Sequence, residues 1–330
     1  MAARMNIAVI GGGVIGLSAA LRLSAVARVE VFTRDDPAET TSTRAGAVFS
    51  AFDAGDMVDV LSASAVAFAE LAGDGDAGVS LRPSSEYWSR PGPIPAWTGV
   101  VARALGTRVQ SLAPVGPYAG GFRLTVPQVD IPRYMPWLRG RVVASGVSIK
   151  RRGVDAVALL FGEGFDLVVN ASGLGARVLA EDPAVRPMRG QVVHVPNDLG
   201  LTEALDATEP DGSITYIYPF AEHVVLGGTY EHDEQACVTE PGALDAMTER
   251  CRALLACTGR AGAAGLGRVR LRALAGLRPA RVVGGQREAV RLELERTKAG
   301  PVVHAYGHGR AGVTLSWGTA ARVVELVGQV

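Results

Sequence analysis

Residues 6 to 34 constrain the fold most, because they read as one strand–turn–helix–strand unit. Asn6-Ile7-Ala8-Val9-Ile10 is a short apolar run of the kind that a parallel sheet buries on both faces. Gly11-Gly12-Gly13-Val14-Ile15-Gly16 follows, then an alanine-rich stretch to about Ala25, then Val29-Glu30-Val31-Phe32-Thr33-Arg34. Gly11, Gly13 and Gly16 fit G-x-G-x-x-G. The first makes a tight turn, the second lets the backbone approach a pyrophosphate, and the third packs helix on strand. The helix opened by Val14 and Ile15 points its first amides at that pyrophosphate. The unit reads as a dinucleotide-binding βαβ turn.

The second strand departs from the usual pattern. An acidic residue that accepts ribose hydroxyls is expected near position 34, but the chain has Arg34, followed by Asp35 and Asp36. Arginine there suits a 2′-phosphate and hence NADP, while Asp35 offers the ribose contact one residue late. The fingerprint therefore specifies a dinucleotide without naming it.

The bulk numbers exclude several classes. The chain has 330 residues, enough for one or two sizeable cores, and its 33 Lys plus Arg balance 33 Asp plus Glu. No basic stripe argues for nucleic acid. No apolar run reaches the roughly 18 residues that a membrane span needs. Cys237, Cys251 and Cys257 have no metal spacing. With strand one beginning at once and no leader apparent, reduced thiols and a cytoplasmic setting are expected, and no metal.

Further along, Pro37 to Arg44 is a threonine-rich loop whose hydroxyls, at Thr41 and Ser42 among others, suit phosphates or simple capping. Ala45 to Phe52 is small and apolar, suited to a flat ring. Val58 to Leu71 and Pro127 to Gly140 read as helices, and residues 78 to 126 as antiparallel strands. Gly146 to Lys150 and Ala156 to Phe161 read as short strands, and Phe165 to Gly173 as a second parallel-type strand. Met188 to Val195 and Tyr216 to Tyr230 are antiparallel in character, Leu244 to Cys257 is helical, and Arg268 to Pro279 leads into a turn. A strand over Val302 to Gly309 precedes a helix from about Ala311 to Val327. The expectation is an α/β protein with a Rossmann-like nucleotide domain, discontinuous over residues 1–50, 141–186 and 265–330. It is interleaved with an antiparallel-sheet substrate domain of residues 51–140 and 187–264.

Several stretches then fall in one order: Gly11 to Ser18, Arg44-Ala45-Gly46-Ala47, Val169-Asn170-Ala171-Ser172-Gly173, and Met188-Arg189-Gly190-Gln191. Tyr216-Ile217-Tyr218-Pro219, Leu226-Gly227-Gly228-Thr229-Tyr230, Gly276-Leu277-Arg278-Pro279 and Tyr306 to Gly318 follow. In this the chain resembles the D-amino-acid oxidase family, flavoproteins that also include D-aspartate oxidases, and the match runs nearly end to end.

The resemblance implies FAD instead of a nicotinamide. It places the pyrophosphate on Gly11 to Gly16, adenosine near Arg34, Asp35 and Val154, and the isoalloxazine between Ala45 to Phe49 and the turn Gly309 to Thr314, which includes Gly312 and Val313. It further implies that Arg278 forks onto a substrate carboxylate, that Tyr216 hydrogen-bonds the same group, and that Tyr230 is a second active-site tyrosine. The Arg310 main-chain carbonyl would accept from the substrate amine. Phe52 would line the pocket. Gly212 stands where mammalian relatives carry a lid tyrosine. His308 is read as a hydrogen-bonded histidine and not a base.

The implied activity is oxidation of a D-amino acid by O₂ to a 2-oxo acid, ammonia and hydrogen peroxide, with hydride passing from Cα to flavin N5. Neutral side chains are favoured, because Tyr230 and Pro210 stand at or near positions where aspartate oxidases use arginine. Arg310 keeps acidic substrates open. A glycine or N-methyl amino acid oxidase is the neighbouring reading, and the resemblance allows a homodimer.

Overall fold

The computed structural model describes residues 4–50, 57–260, 262–284 and 287–330, so Phe52 lies outside the described residues. The chain alternates between two sheets. It enters the first with β1 (Asn6–Ile10), α1 (Val14–Leu23) and β2 (Arg28–Thr33), then crosses to the second with β3 (Ala47–Val48), α2 (Val58–Leu71), β4 (Val79–Trp88), α3 (Ala96–Leu105), β5 (Gln110–Leu112) and β6 (Gly120–Val129). It returns with α4 (Ile131–Ala144), β7 (Ser148–Arg151), α5 (Val157–Gly162), β8 (Leu167–Asn170) and α6 (Ala176–Leu179). A second excursion brings β9 (Val185–Pro196), β10 (Ala204–Thr208), β11 (Ile214–Pro219), β12 (His223–Gly227), β13 (Glu231–His232), α7 (Pro241–Cys257), β14 (Arg272–Val283) and β15 (Arg287–Glu288). The chain ends with β16 (Arg291–Arg296), β17 (Pro301–Tyr306) and α8 (Gly312–Val327).

The first sheet has the order β16-β17-β8-β1-β2-β7, all parallel except the edge strand β16. β1 is central and its last four residues are buried, which explains the unbroken apolar run. The strand order turns between β1 and β8: β2 and β7 extend one way, β17 and β16 the other. In open α/β sheets that switch point leaves a crevice at the carboxyl ends of the strands. The second sheet, in the order β15-β14-β9-β12-β11-β10-β4-β6-β3, is antiparallel apart from the β10–β4 pair. One core fills the space around α1, α2, α4 and α8, and another lies between α7 and the larger sheet. Buried Trp317 on α8 donates its indole N–H to the Tyr134 hydroxyl on α4 at 2.9 Å, tying the two helices together.

The expected fold class is therefore present, and its elements depart from the sequence reading in three places. Ala156 to Phe161 lies mostly in helix α5 and not in a strand, since a short apolar run has no periodicity to decide its type. Helix α3 interrupts the stretch expected to be all strand. Arg268 to Pro279 does not run into a turn; most of it is β14, whose Pro279 lies opposite Pro187 of β9. Two opposed prolines need no ladder donor when the pair is a non-hydrogen-bonded one, so neither breaks the strand. β14 thereby joins the larger sheet, although the boundary at 265 assigns it to the nucleotide segment. The boundary at 140/141 also falls inside α4, which packs on α1.

Candidate active site

A cavity of about 660 Å³ opens at the carboxyl ends of β1, β2, β8 and β17, where Ile10, Thr33, Ser172 and Tyr306 stand, and runs to the facing side of the larger sheet. Most of the residues singled out from the sequence for the cofactor and the substrate line it; Gly16, Gly212 and Tyr230 do not.

At the end formed by the first sheet the backbone dominates. Gly11 has φ 122°, and a Cβ there would overlap the Ala171 carbonyl of the loop after β8. Gly16 lies behind the wall, where a Cβ would overlap the Gly11 carbonyl, so its part is to seat α1 against the turn. Gly13 caps α1 in extended backbone with no side-chain cap and no acidic residue in the first turn. The helix therefore presents amides and positive dipole to the cavity beside Val14 and Ile15. The Val14 N–H donates to Ser42 Oγ at 2.9 Å.

Ser42 sits on a short 3₁₀ turn, Thr41–Arg44, that straps this loop to β14. The Thr41 hydroxyl donates to the Leu277 carbonyl at 3.0 Å, and Arg44 donates to the Ala275 carbonyl at 2.9 Å. The Thr41 hydroxyl hydrogen is thus engaged by protein. Farther along, Arg34 and Asp35 form an ion pair at 3.2 Å, both side chains more than half exposed, with Val154 nearby on the wall. Ser172 donates its hydroxyl to Asn170 Oδ1 at 2.6 Å.

The middle of the cavity lies between Ala45–Gly46 and the start of α8. Gly46 packs on the Tyr216 and Tyr218 rings. Gly309, at φ 50°, leads into Gly312, Val313 and Thr314, and Ala311 caps α8 with no side-chain bond. The amides of a second, long helix thereby face the same space. His308 lies on this wall, but burial pushes its pKa down to about 4 and its Nε2 meets Thr319 Oγ1 at 3.1 Å. It is a neutral packing residue.

At the end formed by the larger sheet, side chains dominate. Arg278 on β14 donates to the Thr229 carbonyl at 3.2 Å and to the Arg189 carbonyl at 3.4 Å. Its guanidinium lies flat on Gly190, where a Cβ would overlap it. The floor strand is itself pinned: Arg189, 5% exposed, pairs with Glu231 and Glu240. Tyr216 is buried beside Arg278, and a Cβ on Gly227 or Gly228 would overlap its ring. Burial lifts the Tyr216 pKa to about 12 while Arg278 pulls against that rise, so the hydroxyl stays a donor. Tyr216 stacks on Tyr218, ring centroids 4.4 Å apart. Tyr230 does not line the cavity. Its ring carries the Arg310 guanidinium at 4.8 Å and Arg278 at 5.9 Å, so it touches two cations that do line it.

The family model "FAD dependent oxidoreductase" matches residues 6–326. The chain belongs to that family. It is 39% identical to a D-amino-acid oxidase of Rubrobacter xylanophilus over 97% of this chain and 95% of that one. It is 33% identical to the human D-aspartate oxidase over 98% and 95% respectively. Among solved structures, glycine oxidase from Bacillus cereus superposes with a TM-score of 0.74 at 18% identity, covering 99% of this chain and 96% of that one, which shows a shared fold.

The family's cofactor is FAD, and the cavity suits it. A glycine turn that tolerates no side chain borders one end, and uncapped helix N-termini face the cavity from two directions. The small residues Ala45 and Gly46 leave room for a flat ring between them and α8. Among the described residues, no group of three or more His, Cys, Asp or Glu could hold a metal ion, and no helix is long and apolar enough to cross a membrane.

Sequence reasoning missed Glu86, Asp206 and Tyr218, which all line the cavity. The Tyr218 hydroxyl donates to Asp206 Oδ1 at 2.6 Å, and the Trp88 indole N–H donates to Glu86 Oε1 at 2.9 Å. Burial, with Glu86 adding repulsion, raises the Asp206 pKa to about 8. Glu86 is also raised by burial, with Trp88 and Arg310 opposing the shift. The available signal was a charged residue at an inward position of a strand.

Proposed function

We propose that this protein is an FAD-dependent D-amino-acid oxidase. The observation that carries the reading is the Arg278–Tyr216 pair at the substrate end of a cavity whose other end is built for a pyrophosphate. The similarity to D-amino-acid and D-aspartate oxidases over nearly the whole chain supports it.

In this reading Gly11 to Gly16 with the α1 amides hold the pyrophosphate, Arg34, Asp35 and Val154 meet the adenosine, and Ala45, Gly46 and Gly309 to Thr314 bracket the ring. FAD, when bound, supplies the hydride acceptor and passes the electron pair to O₂. The Arg278 guanidinium and the Tyr216 hydroxyl clamp the α-carboxylate, a fork onto a planar anion that sets direction as well as position. The Arg310 main-chain carbonyl accepts from the α-amine. With those two groups held, only one stereoisomer turns its Cα hydrogen toward the ring.

No side chain is asked to take that hydrogen, which fits His308 being neutral and committed to Thr319. The imino acid released after loss of hydride from Cα and a proton from nitrogen takes up water to give a 2-oxo acid and ammonia. The uncapped start of α8 lays positive potential where negative charge accumulates on the ring. Free thiols at Cys237, Cys251 and Cys257 support a reducing, cytoplasmic setting.

The test is an anaerobic visible spectrum of the FAD-loaded protein before and after addition of D-alanine, L-alanine and glycine. Bleaching by the D-isomer is expected. Bleaching by glycine or the L-isomer in preference, or protein that takes up no flavin, overturns the reading.

A further inference from the structure

The strand register sets Gly227, Tyr216, Asp206 and Glu86 side by side on β12, β11, β10 and β4. Adjacent strands lie roughly 5 Å apart. Asp206 is therefore one strand beyond Tyr216, and Glu86 two strands beyond. Both line the cavity and both are 8% exposed. Each has one oxygen engaged, Asp206 by Tyr218 and Glu86 by Trp88. Among the described residues, Asp206 Oδ2 and Glu86 Oε2 take no hydrogen bond. Both groups face the cavity, and their proximity opposes ionisation of the pair.

We propose that Glu86 and Asp206 form the side-chain end of the substrate site and select D-amino acids whose side chain ends in a cation, the class of D-lysine, D-ornithine and D-arginine. This rests on the reading of Arg278 and Tyr216 as the anchor of the α-carboxylate. Length agrees with it. A four-carbon stem ending in an ammonium reaches about 6 Å from Cα, within the one to two strand spacings that separate the anchor from the acid pair.

Charge agrees as well. Arg310 provides a positive charge that acts on Glu86, and its guanidinium lies over Tyr230. A substrate ammonium supplies donors to both open oxygens, and its charge favours loss of the proton that burial and Glu86 hold on Asp206. A neutral side chain supplies no donor to those oxygens, and an acidic one brings a further carboxylate against Glu86 and Asp206. The expectation of neutral substrates, drawn from a missing second arginine, is thereby sharpened toward cationic ones.

The test uses the FAD-loaded enzyme and two ligands that it cannot oxidise, 6-aminohexanoate and hexanoate, which are lysine and norleucine without the α-amine. Each is titrated while the perturbation of the visible flavin bands is followed, and kcat/KM is compared for D-lysine, D-norleucine and D-glutamate. The expected result is a preference of at least about tenfold for the amine-bearing member of each pair, the range in which a desolvated charge pair acts. That ratio should fall toward one in Asp206→Asn and Glu86→Gln.

Equal binding of hexanoate and 6-aminohexanoate by the wild type, an unchanged ratio in both variants, or preference for D-glutamate overturns the inference. Oxidation of D-norleucine without preference for D-lysine sinks this inference alone. No bleaching by any D-amino acid sinks the anchor reading, and this inference with it.

Discussion

The two ends of the cavity are built from different materials. The end at the first sheet is made of backbone: a glycine turn, two helix starts and a strap of hydroxyls, with Gly11 and Gly16 defined by contacts that exclude any side chain. The end at the larger sheet is made of side chains, carried by strands far apart in sequence and brought together by register. Backbone sites should fail all at once, because a substitution there displaces the chain itself. Side-chain sites should fail by degrees, one interaction at a time.

The sharpest test of that difference is Gly16→Val. Its side chain has no space against the Gly11 carbonyl, so loss of bound flavin is expected along with a fall in stability of several kcal/mol. The flavin-to-protein absorbance ratio and the melting temperature check it, and a fully loaded variant would break the comparison. Next in size is Arg278→Ala. Loss of a buried charged hydrogen-bond partner costs about 2–4 kcal/mol, so KM for a D-amino acid should rise by roughly two orders of magnitude while flavin content stays whole. Lost flavin would mean that the two ends are not separable.

A third test is the pH dependence of stability through Asp206, which faces Glu86 from β4 and Tyr216 and Tyr218 from β11, with Arg310 acting on Glu86. Unfolded, the carboxyl ionises near its ordinary value; folded, it keeps its proton to about 8. Between those values the folded state binds more protons, so stability falls as pH rises, by on the order of 1 kcal/mol per pH unit. Asp206→Asn should flatten that slope between pH 5 and 8 in a series of thermal melts (about the window that these values span), and an unaltered slope would remove Asp206 as its source. The smallest effect is expected from Tyr216→Phe, which deletes one hydroxyl bond worth about 1 kcal/mol. A rise of several-fold in KM with little change in kcat would assign Tyr216 to binding, whereas a fall in kcat alone would move it toward the chemistry.

Legibility follows the same divide. The nucleotide end could be read because its determinants are contiguous: a buried run, a glycine turn and a helix within 30 residues describe one another without help from the rest of the chain. Arg278 and Tyr216 were readable through resemblance, and the structure adds the local reason that neighbouring glycines at 190, 227 and 228 make room for both side chains. Tyr230 was expected at the site and meets it through Arg310 and Arg278 instead of through the cavity wall, a placement that a motif position does not specify. α5 and β14 were misread, since a short apolar run and a proline each carry a weak local signal that packing overrides.

By itself, then, the sequence determined the βαβ unit and the alternation of two layers, and singled out Arg278 and Tyr216 as candidates for a carboxylate site, because each is encoded in local pattern or in an ordered series of motifs. Only the tertiary structure decided that Glu86 and Asp206, 120 positions apart, share one face of a sheet next to Tyr216. Register between strands is a property of the whole packed sheet, and burial, which gives those two carboxyl groups their chemistry, exists only once that sheet has closed over them.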